Sequence, residues 1–176
     1  RHERISALGW WGAAYLLGAV SIAVWALTGA VLPPLAELAL TISGFVACGM
    51  VWNAARVFHG RSTSWPGIVF GAGVWTVVAL WLPDTSNFRV LVGAAIVACY
   101  AALTAAVLWS ERRKAMQSRW PTIAVPTMHG LVLMLPILLG DFALGDDGEL
   151  HSRSGWVAAF AIELVLYAVG TVFIVF

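Results

Sequence analysis

Residues 88–110 read FRVLVGAAIVACYAALTAAVLWS. After Arg89 no charge occurs before Glu111, and a bilayer core about 30 Å thick asks for roughly 20 such apolar residues in a row. Backbone groups in hydrocarbon must satisfy their own hydrogen bonds, because each unpaired one is costly, so the run must be helical. Working outward, five more stretches meet the same standard. Residues 7–31 end at Pro33-Pro34, and residues 35–58 stop at His59-Gly60-Arg61. Residues 66–82 open on Pro66, well placed in a first helical turn, and give way to Pro83-Asp84-Thr85-Ser86-Asn87. Residues 121–140 carry Pro126 and Pro136, and residues 156–176 close the chain. The expectation is an all-α polytopic integral membrane bundle of about six transmembrane helices, forming a single domain over residues 1–176. Short connections make sequential helices antiparallel neighbours. Arg1 is not a methionine and Phe176 falls inside an apolar run, so the chain reads as a fragment of a longer protein.

Composition agrees with lipid as the main solvent. Hydrophobic residues make up 61% and charged residues 11% of the chain, and its mean hydropathy is +0.87. A soluble domain runs nearer to about a quarter charged. A net charge of +1 offers no basic field for nucleic acid. Cys48 and Cys99 lie in apolar runs and read as packing residues, not as a disulfide framework.

Lysine and arginine placement sets the expected orientation. One side receives Arg1, Arg4, Arg56, Arg61, Arg112, Arg113, Lys114 and Arg119; the other receives Arg89 and Arg153. The first side is then cytoplasmic, both ends of the chain face the cytoplasm, and the acidic loop 141–155 faces outward. Trp10, Trp11, Trp65, Trp81, Trp109, Trp120 and Trp156 fall near helix ends, where an amphipathic ring prefers to sit. Ala94, Ala98, Ala102 and Ala106 form one row of small residues, and Gly67 and Gly71 form a GxxxG. Such rows let backbones approach, either within one bundle or across a homodimer.

Polar groups inside the apolar runs are the informative ones, since they are expensive there. His129 sits near the middle of the fifth stretch, and Glu163 lies about two turns into the sixth. At about 1.5 Å per residue, His129 is roughly 12 Å from one face and Glu163 roughly 10 Å from the other, so antiparallel neighbours bring them to comparable depth. They are the candidate ligand- or proton-sensing residues. The plainer reading is a hydrogen-bonded pair, or a protonated Glu163, that locks two helices. A metal at His129 lacks companions, because His2, His59 and His151 read as lying at or near water. Glu37 complements the start of its helix. Asn53 and Arg56 mark the cytoplasmic end of the second stretch, with Arg56 snorkelling to headgroups. Glu111-Arg112-Arg113-Lys114 reads as a topology signal. Gly145-Asp146-Asp147-Gly148-Glu149-Leu150 lacks EF-hand spacing. No phosphate cradle, HExxH or nucleophile elbow occurs, so no catalytic residue, cofactor or metal is expected in these residues.

Gly9-Trp10-Trp11-Gly12-Ala13-Ala14-Tyr15-Leu16-Leu17-Gly18 resembles the start of a bacterial membrane sensor region, and Trp52-Asn53-Ala54-Ala55-Arg56-Val57-Phe58-His59-Gly60-Arg61 resembles the end of its second helix. Regions of this kind precede GGDEF-type diguanylate cyclase domains. The resemblance is clearest over the first two helices and the loop after them; beyond that it rests on helix count and orientation. It implies a dimeric signalling protein of the bacterial inner membrane whose last helix continues into a cytoplasmic cyclase that joins two GTP molecules into cyclic di-GMP. The cyclase signature itself is absent, so no catalytic residue carries over, and a helix that often precedes the Gly-Trp-Trp segment is absent too. The alternative is a non-catalytic accessory subunit packed against a larger membrane complex. A small transporter or channel ranks below both, because few intramembrane polar groups are available to line a route.

Overall fold

The structure, a computed structural model, describes residues 2–28, 32–83, 87–110, 119–138, 142–144, 150–152, 166–167 and 169–170. Five helices lie among them: α1 (His2–Thr28), α2 (Pro34–Phe58), α3 (Trp65–Trp81), α4 (Asn87–Ser110) and α5 (Arg119–Leu138). Each coincides within a few residues with an expected apolar stretch. Residues 166–167 and 169–170 are helical, and the rest of the sixth stretch lies outside the described residues.

Two expectations need correcting. Among the described residues three helices, not six, are long and apolar enough to cross a bilayer, over Ile5–Val24, Pro34–Phe58 and Leu91–Ser110. The 17 residues of α3 reach only about 26 Å at 1.5 Å each, and the apolar part of α5 spans Ile123–Val132. The all-α class stands, and the second correction is to the loop 141–155, which carries two three-residue strands. Strands β1 (Phe142–Leu144) and β2 (Leu150–Ser152) pair antiparallel, with Phe142 opposite Ser152 and Leu144 opposite Leu150. The residues between them, Gly145-Asp146-Asp147-Gly148-Glu149, are rich in hairpin formers, and that turn chemistry carries no helical period to reveal it.

The chain divides into two compact units, Arg1–Trp81 and Leu82–Phe176. In the first unit α2 packs on both α1 and α3. Its ends follow from local chemistry. Pro34 occupies the first turn, and the Pro33 carbonyl accepts the amides of Ala36 and Glu37 at 2.8 and 3.1 Å. At the other end Gly60 takes φ 77°, which permits the amides of Gly60 and Arg61 to close back on the carbonyls of Val57 and Arg56 at 2.9 and 3.0 Å.

Small residues set the spacing of the helices. A Cβ on Gly49 would stand 2.8 Å from Ile68 Cα, so the backbones of α2 and α3 nearly touch there. One turn on, Gly67 leaves room for the Trp52 ring. Between α1 and α2, Gly18 lies against Ala47, and the hydroxyls of Ser21 and Ser43 share a hydrogen bond of 2.7 Å. Both Gly67 and the buried Gly71 thus serve packing inside the unit.

In the second unit Gly130 of α5 meets Ala98 and Ala101 of α4, its missing Cβ only 3.4 Å from Ala101 Cβ. The buried stripe of α4 includes Ala101, Thr104 and Ala105, while Ala102 and Ala106 are exposed. The expected row at strict four-residue spacing therefore splits. With 3.6 residues per turn, a contact stripe must mix steps of three and four. Bulky apolar residues face outward in both units, including Leu16, Phe70, Leu80 and Leu103, which suits a lipid surround.

Gly49→Ala should lower stability by about 1–3 kcal/mol, because the added methyl meets backbone that cannot swing away. Gly73→Ala, with nothing within 4 Å of the new carbon, should be neutral or stabilising by up to about 1 kcal/mol. Thermal unfolding of the two variants in detergent micelles checks the contrast.

Candidate functional site

His129 is half-buried on α5, and its imidazole stacks on Tyr167 with centroids 4.3 Å apart and planes 19° from parallel. Tyr167 itself is buried. Four residues earlier on α5, Val125 closes on Gly170, its Cγ2 only 3.0 Å from where a Cβ would stand. The residue numbers run in opposite senses, so the helical segment around Tyr167 lies antiparallel to α5, as the short connections required. Glu163, the other sensing candidate, lies outside the described residues, and so does its expected pairing with His129. Tyr167 was not singled out from sequence; a phenol within an apolar helix, four positions beyond Glu163, was the available signal. Among the described residues no cluster of three or more His, Cys, Asp or Glu side chains is placed to hold a metal.

A second polar constellation sits where α2 turns into α3. Asn53 is fully buried, and its Oδ1 accepts the Ser64 amide at 2.9 Å. Arg56, one turn further along α2, lays its guanidinium over the Trp52 ring, 5.0 Å from the centroid, and donates from Nη2 to the Ser62 carbonyl at 3.4 Å. Two side chains of α2 thus hold the connection 59–64 against the end of their own helix. Ser64 is then positioned to cap α3, and its carbonyl accepts the Ile68 amide at 3.0 Å.

Aromatic rings enclose this end. Trp11 of α1 lies 5.8 Å from Phe58, Phe58 meets His59 edge-on at 5.3 Å, and Trp10 packs edge-on against Trp65 at 5.5 Å. His59 is 8% exposed, so it does not lie at water as expected; the turn brings it edge-on to the Phe58 ring. Trp11 is 5% exposed and serves the contact between helices, while Trp65 remains open. The Trp52 face and the Ser62 carbonyl engage Arg56. Three N–H donors at this end have no acceptor among the described residues: Asn53 Nδ2, Arg56 Nε and Trp11 Nε1.

Compared with protein-family models, curated proteins and solved structures, the chain matches none of them. The likeness to cyclase-linked sensor regions accordingly stands on its residues alone.

Asn53→Ala removes the acceptor of a buried amide and should lower stability by about 1–3 kcal/mol. Ser62→Ala should cost close to nothing, since Ser62 contributes its backbone carbonyl. Unfolding midpoints of the two variants in the same detergent distinguish a side-chain clamp from a merely crowded loop.

Proposed function

We propose that the chain is the membrane sensor or anchor module of a signalling protein, and that it relays a cue to a cytoplasmic diguanylate cyclase domain of the GGDEF type. The observation that carries this reading is spatial. The two stretches that bear the resemblance, residues 9–18 and 52–61, fold against each other through Trp11 and Phe58 at one end of the first unit. The reading includes the bacterial inner membrane, both ends of the chain in the cytoplasm, a homodimeric arrangement, and His129 with Glu163 as the sensing residues. The non-catalytic accessory subunit is the second reading. The exposure of Ala102 and Ala106, a flat strip on α4, favours it, because a larger membrane partner would pack closely there.

In cells carrying the complete reading frame, deletion of the gene should lower cyclic di-GMP, and restoring the whole protein should recover it. Residues 1–176 alone should restore nothing. Unchanged cyclic di-GMP would sink the cyclase reading and leave the accessory subunit. Orientation is checked separately with single cysteines introduced at Lys114 and Asp147 and an impermeant thiol reagent on intact cells. The site at 147 should label and the site at 114 should not; the reverse pattern would invert the topology.

A further inference from the structure

We propose that the α2–α3 end of the first unit binds the phosphate of an anionic membrane lipid, with Arg56 as the principal donor. The inference rests on the chain lying in a bilayer and is independent of any cyclase.

Arg56 is half-buried, and its Nε lacks an acceptor among the described residues. The accessible part of its guanidinium is a donor only, so it calls for an oxygen that only accepts, and a phosphate offers several. Arg56 is the group best able to turn toward one. Its guanidinium has five N–H donors, and the one acceptor it meets among the described residues, the Ser62 carbonyl at 3.4 Å, lies well beyond the usual distance of about 2.9 Å. A charged oxygen bonds about twice as strongly as a neutral one and would displace that contact. The Trp52 face keeps the guanidinium plane oriented meanwhile.

Charge balance points the same way. Unit 1 contains two carboxylates, Glu3 and Glu37; Glu3, in the first turn of α1, belongs to this end, where Arg4, Arg56 and Arg61 outnumber it. Glu37 lies in the first turn of α2, roughly 28 Å along the helix from Arg56 at about 1.5 Å per residue. It cannot neutralise this end. Arg61 adds a second cation on the exposed connection. Trp65, 64% exposed beside Trp10, marks the depth as that of headgroups, where indole rings anchor. A phosphate at that depth belongs to a lipid. Phosphatidylcholine presents one too, but its choline cancels the charge, so the site should prefer a headgroup of net negative charge.

The test uses the whole chain in vesicles and reads quenching of its tryptophans by brominated lipid. Brominated phosphatidylglycerol is compared with brominated phosphatidylcholine, which yields a relative binding constant. Wild type should prefer phosphatidylglycerol about fivefold, the effect of one arginine near an anionic surface. Arg56→Gln should lose most of that preference, and Arg56→Lys should retain part of it, keeping the charge but not the planar fork. Helix content by circular dichroism in phosphatidylcholine shows that both variants fold, and Arg89→Gln should leave the preference intact. Four outcomes would overturn the proposal. The first is no preference in wild type. The second is a preference that survives Arg56→Gln unchanged. The third is its loss in millimolar inorganic phosphate, which assigns the site to the free ion. The fourth is a preference that appears only with Glu3→Gln, which makes the chain's own carboxylate the occupant.

Discussion

Backbone amides that meet no water must bond to one another, and in this chain that constraint precedes every other. It forces the apolar runs into helices and removes water as the agent that would press those helices together. Association then depends on how closely the backbones can approach. At Gly49 the approach of α3 leaves no space for a Cβ, and Gly67 makes room for an indole ring nearby. Gly130 does the same for α5 against Ala98 and Ala101. The sparse hydroxyls reinforce this spacing, as in the Ser21–Ser43 bond between α1 and α2. Dispersion across such short gaps, together with a few shared protons, is the attraction still available when the surround is as apolar as the side chains.

Polar side chains within such a frame are tolerated where they satisfy backbone. Asn53 is the clearest instance, a fully buried amide spent on the Ser64 N–H at the start of α3. Arg56 spends its charge on the same connection while resting on Trp52. Together they fix the exit of α2 and the entry of α3, which places the Trp10–Trp65 and Trp11–Phe58 contacts. The residues that suggested a sensor region are therefore also those that shape one end of the unit.

His129 shows the other way a polar ring is accommodated. Stacked on Tyr167, it covers its face with an aromatic surface. His129 lies near the middle of α5, as its apolar stretch suggested, but its partner follows from the antiparallel register of Val125 with Gly170, which no local pattern encodes.

Residue order by itself determined where helices form and where they stop, because apolar run length and turn residues are local properties. Pro33-Pro34, His59-Gly60-Arg61 and Pro66 marked boundaries that the structure reproduces. Local pattern could not show that α3 falls short of a full span, that 142–144 pairs with 150–152, or that the row from Ala94 to Ala106 turns partly outward. Those depend on what each segment meets. The same holds at the candidate site. Asn53 and Arg56 were visible as polar groups at a helix end, yet their partners, Ser64 and Ser62, lie across a turn whose path is set by Gly60 and by the packing of α3 on Gly49. Tertiary structure decided which donors found acceptors and which did not, because hydrogen bonding is settled by distance in space and sequence records only distance along the chain.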